Sequence, residues 1–213
     1  MLYFTKERWN LLANRLSLSI GERAFEQIQG HYSVSWRAYH NVRHIEDCLE
    51  QLDRSPRIAE QPDEVELAIW LHDVIYDTHR SDNEDQSAAF AASILQDVRA
   101  APDVVQRVTA NILATTHNAT ATRIDEQLIA DIDLSILGRP MDEYDVFETA
   151  IRKEYQWVPW ATYRDKRTEV LQSFLDRESI YRIDWFAEKF EASALDNLNV
   201  QFVSSPHKRE WMA

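Results

Sequence analysis

Apolar residues recur at intervals of three and four along nearly the whole chain, the period of helices that each bury one face. Trp9, Leu12, Leu16 and Phe25 predict a helical region over 6–29, with a break near Gly21 and a stop at Gly30. A second helix over 39–52 carries the stripe Ile45, Cys48, Leu49 and Leu52. The run 67–77 is apolar nearly all round and predicts a buried helix, with Asp63 as its N-cap and Glu66 at the capping-box position. A polar loop over 78–85 leads to an alanine-rich helix over 86–98. Pro102 opens the next helix, whose stripe is Val105, Val108 and Ile112, and another over 124–137 stops at Gly138 and Pro140. Three further helices are expected over 142–157, 161–177 and 184–198. Their apolar sets are Val146/Phe147/Ile151, Val170/Leu171/Phe174 and Trp185/Phe186/Phe190. The tail after Val203 reads as loosely ordered.

Composition narrows this to an all-α fold. Three glycines and six prolines in 213 residues are too few for the turns of a many-stranded sheet. No linker composition separates the halves, so the expectation is a single helical domain. It has a core over about 30–140 and a carboxy-terminal helical cap over about 141–203. The seven tryptophans read as core and cap packing and not as a base-stacking platform. The single cysteine, Cys48, forms no internal disulfide, which suits a reducing compartment. The start of the chain lacks the pattern of a secretory signal, and no apolar run reaches the ~18 residues of a membrane span. A cytoplasmic protein without a membrane partner is expected. The net charge of -13 argues against duplex nucleic acid as a partner, because phosphate neutralisation needs a basic surface. A small phosphorylated ligand needs only a few local arginines.

The candidate chemistry lies in the run 67–77, which carries His72 and Asp73 near its centre. A buried carboxylate costs several kcal/mol unless a cation or hydrogen bonds offset it, so the pair calls for a partner, for which a metal ion is the obvious candidate. The alternative is a core histidine bonded to a neighbouring helix, with Asp73 at an exposed edge. Two more polar residues share apolar stripes, His44 and Asp133. Asp131 and Asp133 are separated by about 200° around a helix axis, so only one can face a shared site. Asp133 lies four residues from both Ile129 and Leu137 and is the choice, with Asp131 as the alternative. Two imidazoles with two carboxylates suit a divalent ion (Mn, Fe, Zn, Co, Ni or Mg) and leave positions for water and substrate.

The ordered pattern His…His-Asp…Asp on successive helices resembles the HD superfamily of metal-dependent phosphohydrolases, and most closely a bacterial group of predicted phosphohydrolases within it. The matching stretches are 37–45, 70–77, Asn83-Glu84, 131–138, 151–155 and Tyr163…Arg167…Leu171, so the likeness runs over about residues 5–200. It implies an HD-type helical bundle in which His44, His72, Asp73 and Asp133 ligate the metal. The segment 71–78 is also similar to the motif of ppGpp hydrolases, which carry Glu-Asp where this chain has Tyr76-Asp77.

Asp77, four residues after Asp73 on the same expected helix face, reads as the group that orients the attacking water or moves a proton. The resemblance adds Glu84 as a water contact. His40, one expected turn before His44, reads as substrate-facing. His117, Arg37, Arg152 and Lys153 are candidate phosphate contacts, and exposed Trp and Tyr of the carboxy-terminal helices are candidates for a homodimer contact. The expected function is hydrolysis of a nucleotide or other small phosphate ester by a metal-activated water. Two alternatives stand beside it: a metal-containing nucleotide sensor without turnover, favoured by Tyr76, and a di-iron oxygenase, which needs further ligands such as His40 and His117.

Overall fold

The computed structural model describes residues 3–117 and 121–203, the side chains of 201–203 excepted. The expected loose tail after Val203 lies outside the described residues. Among these the chain is all-α, with ten α-helices, two short 3-10 turns and no strand. It divides into two compact units, the division falling between Asp133 and Leu134 in the sequence.

The first unit is organised around one helix. Helix α1 (Lys6–Arg15) is capped by Thr5, whose hydroxyl accepts from the Arg8 N–H at 3.2 Å, and just past its C-cap Leu16 the chain turns at Ser17 in the left-handed region. Helix α2 (Glu22–Tyr32) begins after Gly21 and runs through Gly30, so Gly30 is not the predicted stop. Helix α3 (Val42–Arg54) starts at Asn41, whose side chain accepts from the Arg43 N–H at 2.9 Å. Helix α4 (Pro62–Leu71) is buried from Glu64 to Leu71 and packs against α1, α3, α5 (Asn83–Asp97) and α6 (Pro102–Leu113). A helix touched on so many sides has no room for a polar stripe, which is why its run 67–71 is apolar all round. Its buried acids, Glu64 and Glu66, are paired with arginines.

Asp63 does not cap α4. Pro62 takes the first helical position, and the Asp63 carboxylate pairs instead with Arg15 at 2.6 Å. The N–H groups just before the helix, of Glu60 and Gln61, donate to the fully buried Asp125 at 2.7 and 3.1 Å. Asp125 belongs to α7 (Ile124–Leu134), so this contact ties the start of α4 to the helix that carries Asp133. Phe4, Trp9, Phe25 and Tyr32 surround Trp70, with ring centroids 4.6 Å (Phe4) and 5.4 Å (Trp9) away. Tyr32 also donates its hydroxyl to the Trp70 carbonyl at 3.2 Å, whereas the indole nitrogens of Trp9 and Trp70 are buried without a hydrogen-bond partner among the described residues.

The second unit contains a 3-10 turn (Ser135–Gly138), α8 (Met141–Glu154), α9 (Trp160–Leu175) and α10 (Asp184–Val203). A Cβ added at Gly138 would lie 2.5 Å from the Phe190 carbonyl oxygen, so only glycine lets α10 come this near. Asn197 on α10 donates to the Leu137 and Arg139 carbonyls at 2.7 and 2.8 Å, which satisfies the end of that turn. Tyr144, Phe147, Tyr181, Phe186 and Phe190 form its aromatic core, and the half-buried Arg167 pairs with the buried Glu148. Val146 and Val170, expected in the apolar stripes, are exposed, as are Trp157 and Trp160. No helix among the described residues is long and apolar enough to cross a membrane.

Candidate metal centre

The site forms where α4 stops. The helix ends at Leu71 with His72 as its C-cap, several residues short of the predicted end at Asp77. Its continuation would satisfy the carbonyls of residues 73 and 74 internally; here the buried guanidinium of Arg37 takes both, at 2.8 and 3.0 Å. Side chains of α5 brace the rest of the loop. Ser87 exchanges hydrogen bonds with the backbone of Ile75 (both 3.1 Å), and Asn83 does so with that of Asp77 (3.0 and 3.1 Å). Arg37 is therefore engaged by backbone, and not aimed at a phosphate as expected.

Released from the helix, His72 and Asp73 meet His44 of α3 and Asp133 of α7. The His44 Nε2 and His72 Nε2 atoms are 3.1 Å apart. Asp73 Oδ2 lies 3.4 Å from the first and 3.2 Å from the second. Asp133 Oδ1 lies 3.2 and 3.7 Å from the same two atoms. Donors each about 2.1 Å from one ion stand about 3.0 Å apart along an octahedral edge and about 3.4 Å apart along a tetrahedral one, so these separations have the scale of a coordination polyhedron.

The protons agree with that geometry. The Ile69 carbonyl can only accept, so its 2.9 Å bond places a proton on His72 Nδ1, and in the neutral ring Nε2 then turns its lone pair toward the cluster. Two imidazole nitrogens cannot face each other at 3.1 Å as lone pairs unless a proton or a cation lies between them. A buried donor set of His44, Cys48, His72 and Asp133, with one ligand atom each and all within 4.8 Å of one another, can hold a metal ion. Asp73 adds a second carboxylate beside both imidazoles.

Cys48 is the member that sequence reasoning missed. It sits one turn after His44, its sulfur 3.8 Å from Nδ1 and 3.9 Å from Nε2. On an apolar stripe a thiol passes for a small hydrophobe; its i+4 spacing from a candidate ligand was the available signal. Asp133, and not Asp131, reaches the imidazoles. Its other oxygen meets His117 Nε2 at 2.8 Å. His117 lies in the left-handed region (φ 55°), a backbone cost accepted where it aims an imidazole at a site carboxylate.

Without an ion the cluster holds protons. Burial pulls the His44 pKa down, but Cys48, Tyr39, Asp133 and Asp73 outweigh it and leave the value well above the usual range. His72 behaves alike: burial opposes, and Asp73 and Asp133 prevail. Burial pushes Asp73 and Asp133 up, yet the surrounding histidines hold both well below the usual carboxylate range.

The remaining predicted residues are divided. Glu84 is in the first turn of α5 and not in a loop; burial raises its pKa, with further contributions from Asp73 and Asp133, so it feels the cluster. Asp77 is beyond the end of α4, which removes the shared helix face assumed for it. Its carboxylate accepts from the His79 backbone at 2.9 Å, which with the His79 side chain keeps its pKa low. His40 precedes the first turn of α3 and so shares no helix face with His44, though the rings are 5.8 Å apart. Arg152 belongs to the second unit, where it donates to the Tyr155 carbonyl at 2.6 Å and lies 4.8 Å from the Tyr163 ring centroid. Lys153 is in the last turn of α8. Comparison with family models, with curated proteins and with solved structures returns no match.

Proposed function

We propose that the chain is a metal-dependent phosphohydrolase acting on a nucleotide or another small phosphate ester. The observation that carries this reading is the convergence of His44, His72, Asp73 and Asp133 at ligand spacing, with the His72 tautomer fixed by Ile69. The order of these residues along the chain, which resembles the HD superfamily, supports the reaction class. A divalent ion held there supplies an electrophile for a phosphoryl oxygen and lowers the pKa of water near neutrality.

The chain's own residues do the rest. His117 fixes the Asp133 carboxylate, and Arg37 fixes the backbone that carries Asp73. Glu84, whose proton affinity is raised by burial and then by Asp73 and Asp133, is the candidate carboxyl for contact with the attacking water. Manganese, iron, zinc and cobalt all suit a mixed N/O/S set, with Cys48 favouring the softer ions. The test is phosphate and pyrophosphate release from a nucleotide panel with added manganese, alongside metal analysis of the purified protein and the variant Asp73→Ala. Release by the wild type alone supports the reading. A wild-type rate in Asp73→Ala overturns the site.

One observation favours the second reading, a nucleotide sensor without turnover. Asp77 is engaged with His79, and Tyr76 stands where ppGpp hydrolases carry an acid. Tight nucleotide binding without product release, across several metals, would replace the first reading with this one.

A further inference from the structure

Three aromatic rings form a row that starts beside the metal cluster and ends in solvent. The His40 ring, 5.8 Å from that of His44, stacks on Tyr76 with centroids 3.9 Å apart and an interplanar angle of 24°. Tyr76 in turn lies nearly parallel to Trp36, at 6.2 Å and 19°. Trp36 is 44% exposed, whereas Trp9 and Trp70 are fully buried. An exposed indole normally adjusts freely to its surroundings; this one is held by Tyr76 and by its own chain neighbour. Its chain neighbour Arg37 is locked to the carbonyls of Asp73 and Val74, and the Arg37 guanidinium stands 5.6 Å from the centroids of both Trp36 and Tyr76. Tyr76 sits between two residues whose backbones are braced by Ser87 and Asn83. The row is pre-organised, and a flat ligand pays little ordering entropy to use it.

We infer that Trp36 is a stacking platform for the heteroaromatic base of the substrate, which places the substrate among nucleosides carrying a phosphate and not among sugar phosphates. A base has a π-face whatever its sequence of donors and acceptors, and stacking on an aromatic side chain is the contact that reads this flatness. This reverses the expectation that every tryptophan is packing. It explains the ring at Tyr76, which joins the metal-side histidine to the exposed indole. The inference rests on the phosphohydrolase reading for the position of the phosphate, but not for that of the base.

Calorimetric titration of the full chain with manganese separates the two. The ligands are AMP, ribose 5-phosphate and adenosine; the proteins are wild type, Trp36→Ala and Trp36→Phe, with circular dichroism to check that helix content is kept. The wild type is expected to bind AMP about tenfold more tightly than ribose 5-phosphate. Trp36→Ala removes that advantage without changing ribose 5-phosphate, and Trp36→Phe retains most of it. Equal wild-type affinity for the two phosphates, equal weakening of both by Trp36→Ala, or no binding of AMP overturns the platform. Adenosine binding that depends on Trp36, with no binding of ribose 5-phosphate and no phosphate release, upholds the platform and overturns the phosphohydrolase.

Discussion

The two ends of α4 both bury carboxylates, and they neutralise them by different means. At the amino end Glu64 meets Arg107 through two bonds of 2.7 Å, and Glu66 is shared by Arg8 and Arg15 at 2.7 and 2.6 Å. At the carboxy end Asp73, equally buried, faces His44 and His72. An arginine is charged at every accessible pH and presents a fork that matches a carboxylate, so the amino end is complete as it stands. An imidazole carries its charge only while protonated, and gives up that proton to a metal. Burial alone does not distinguish a structural acid from a ligand; the partner does.

The comparison can be broken at either end. Asp73→Ala should weaken metal binding by roughly a thousandfold or more, about 4 kcal/mol, because it removes a donor from the polyhedron. Chelator competition measures it, and the metal-free protein loses only the stability that the pairing of Asp73 with the two imidazoles supplies. Arg107→Met should act in the opposite sense, costing about 3 kcal/mol of stability by leaving Glu64 buried without its partner, with metal affinity unaltered. If added metal rescues that variant, the two ends are not independent. His117→Ala should lower metal affinity by about 10- to 100-fold through loss of the bond that orients Asp133. The smallest effect is that of pH. The His44 and His72 contribution to metal-free stability is complete below about pH 6.5 and is lost as pH rises through their raised folded values; that of Asp73 and Asp133 is complete above about pH 3.9 and is lost as pH falls through their lowered ones. The metal-free cluster is thus most stabilising between these limits, while metal affinity climbs with pH as the imidazoles release protons. Thermal unfolding in chelator and metal titration at several pH values should give opposite slopes above neutrality.

Much of this was legible along the chain. The helical period identified the all-α class, and the i+4 relations of Asp133 with Ile129 and Leu137 selected it over Asp131. What escaped was set by distant partners. Nothing between Leu71 and Asp77 is a helix breaker, and the helix ends there because Arg37, remote in sequence, takes the carbonyls that would otherwise accept within it. The same event places Asp77 away from the face on which a continuous helix would have put it. Asp63 looked like a cap because its own spacing is right, but Arg15 claims its carboxylate and Asp125 serves the helix start. Cys48 was hidden for a different reason, since a thiol and a methyl group fit the same apolar stripe.

The donors come from three separated segments: α3, the end of α4, and the last turn of α7. No short piece of the chain can assemble the site, and the closure of both intervening loops must precede a high-affinity complex. Ion capture is then a late event in folding, a report that the first unit has reached its native topology. A metal-sensitive probe, followed during refolding, would time the arrival of α7 against the helices already in place.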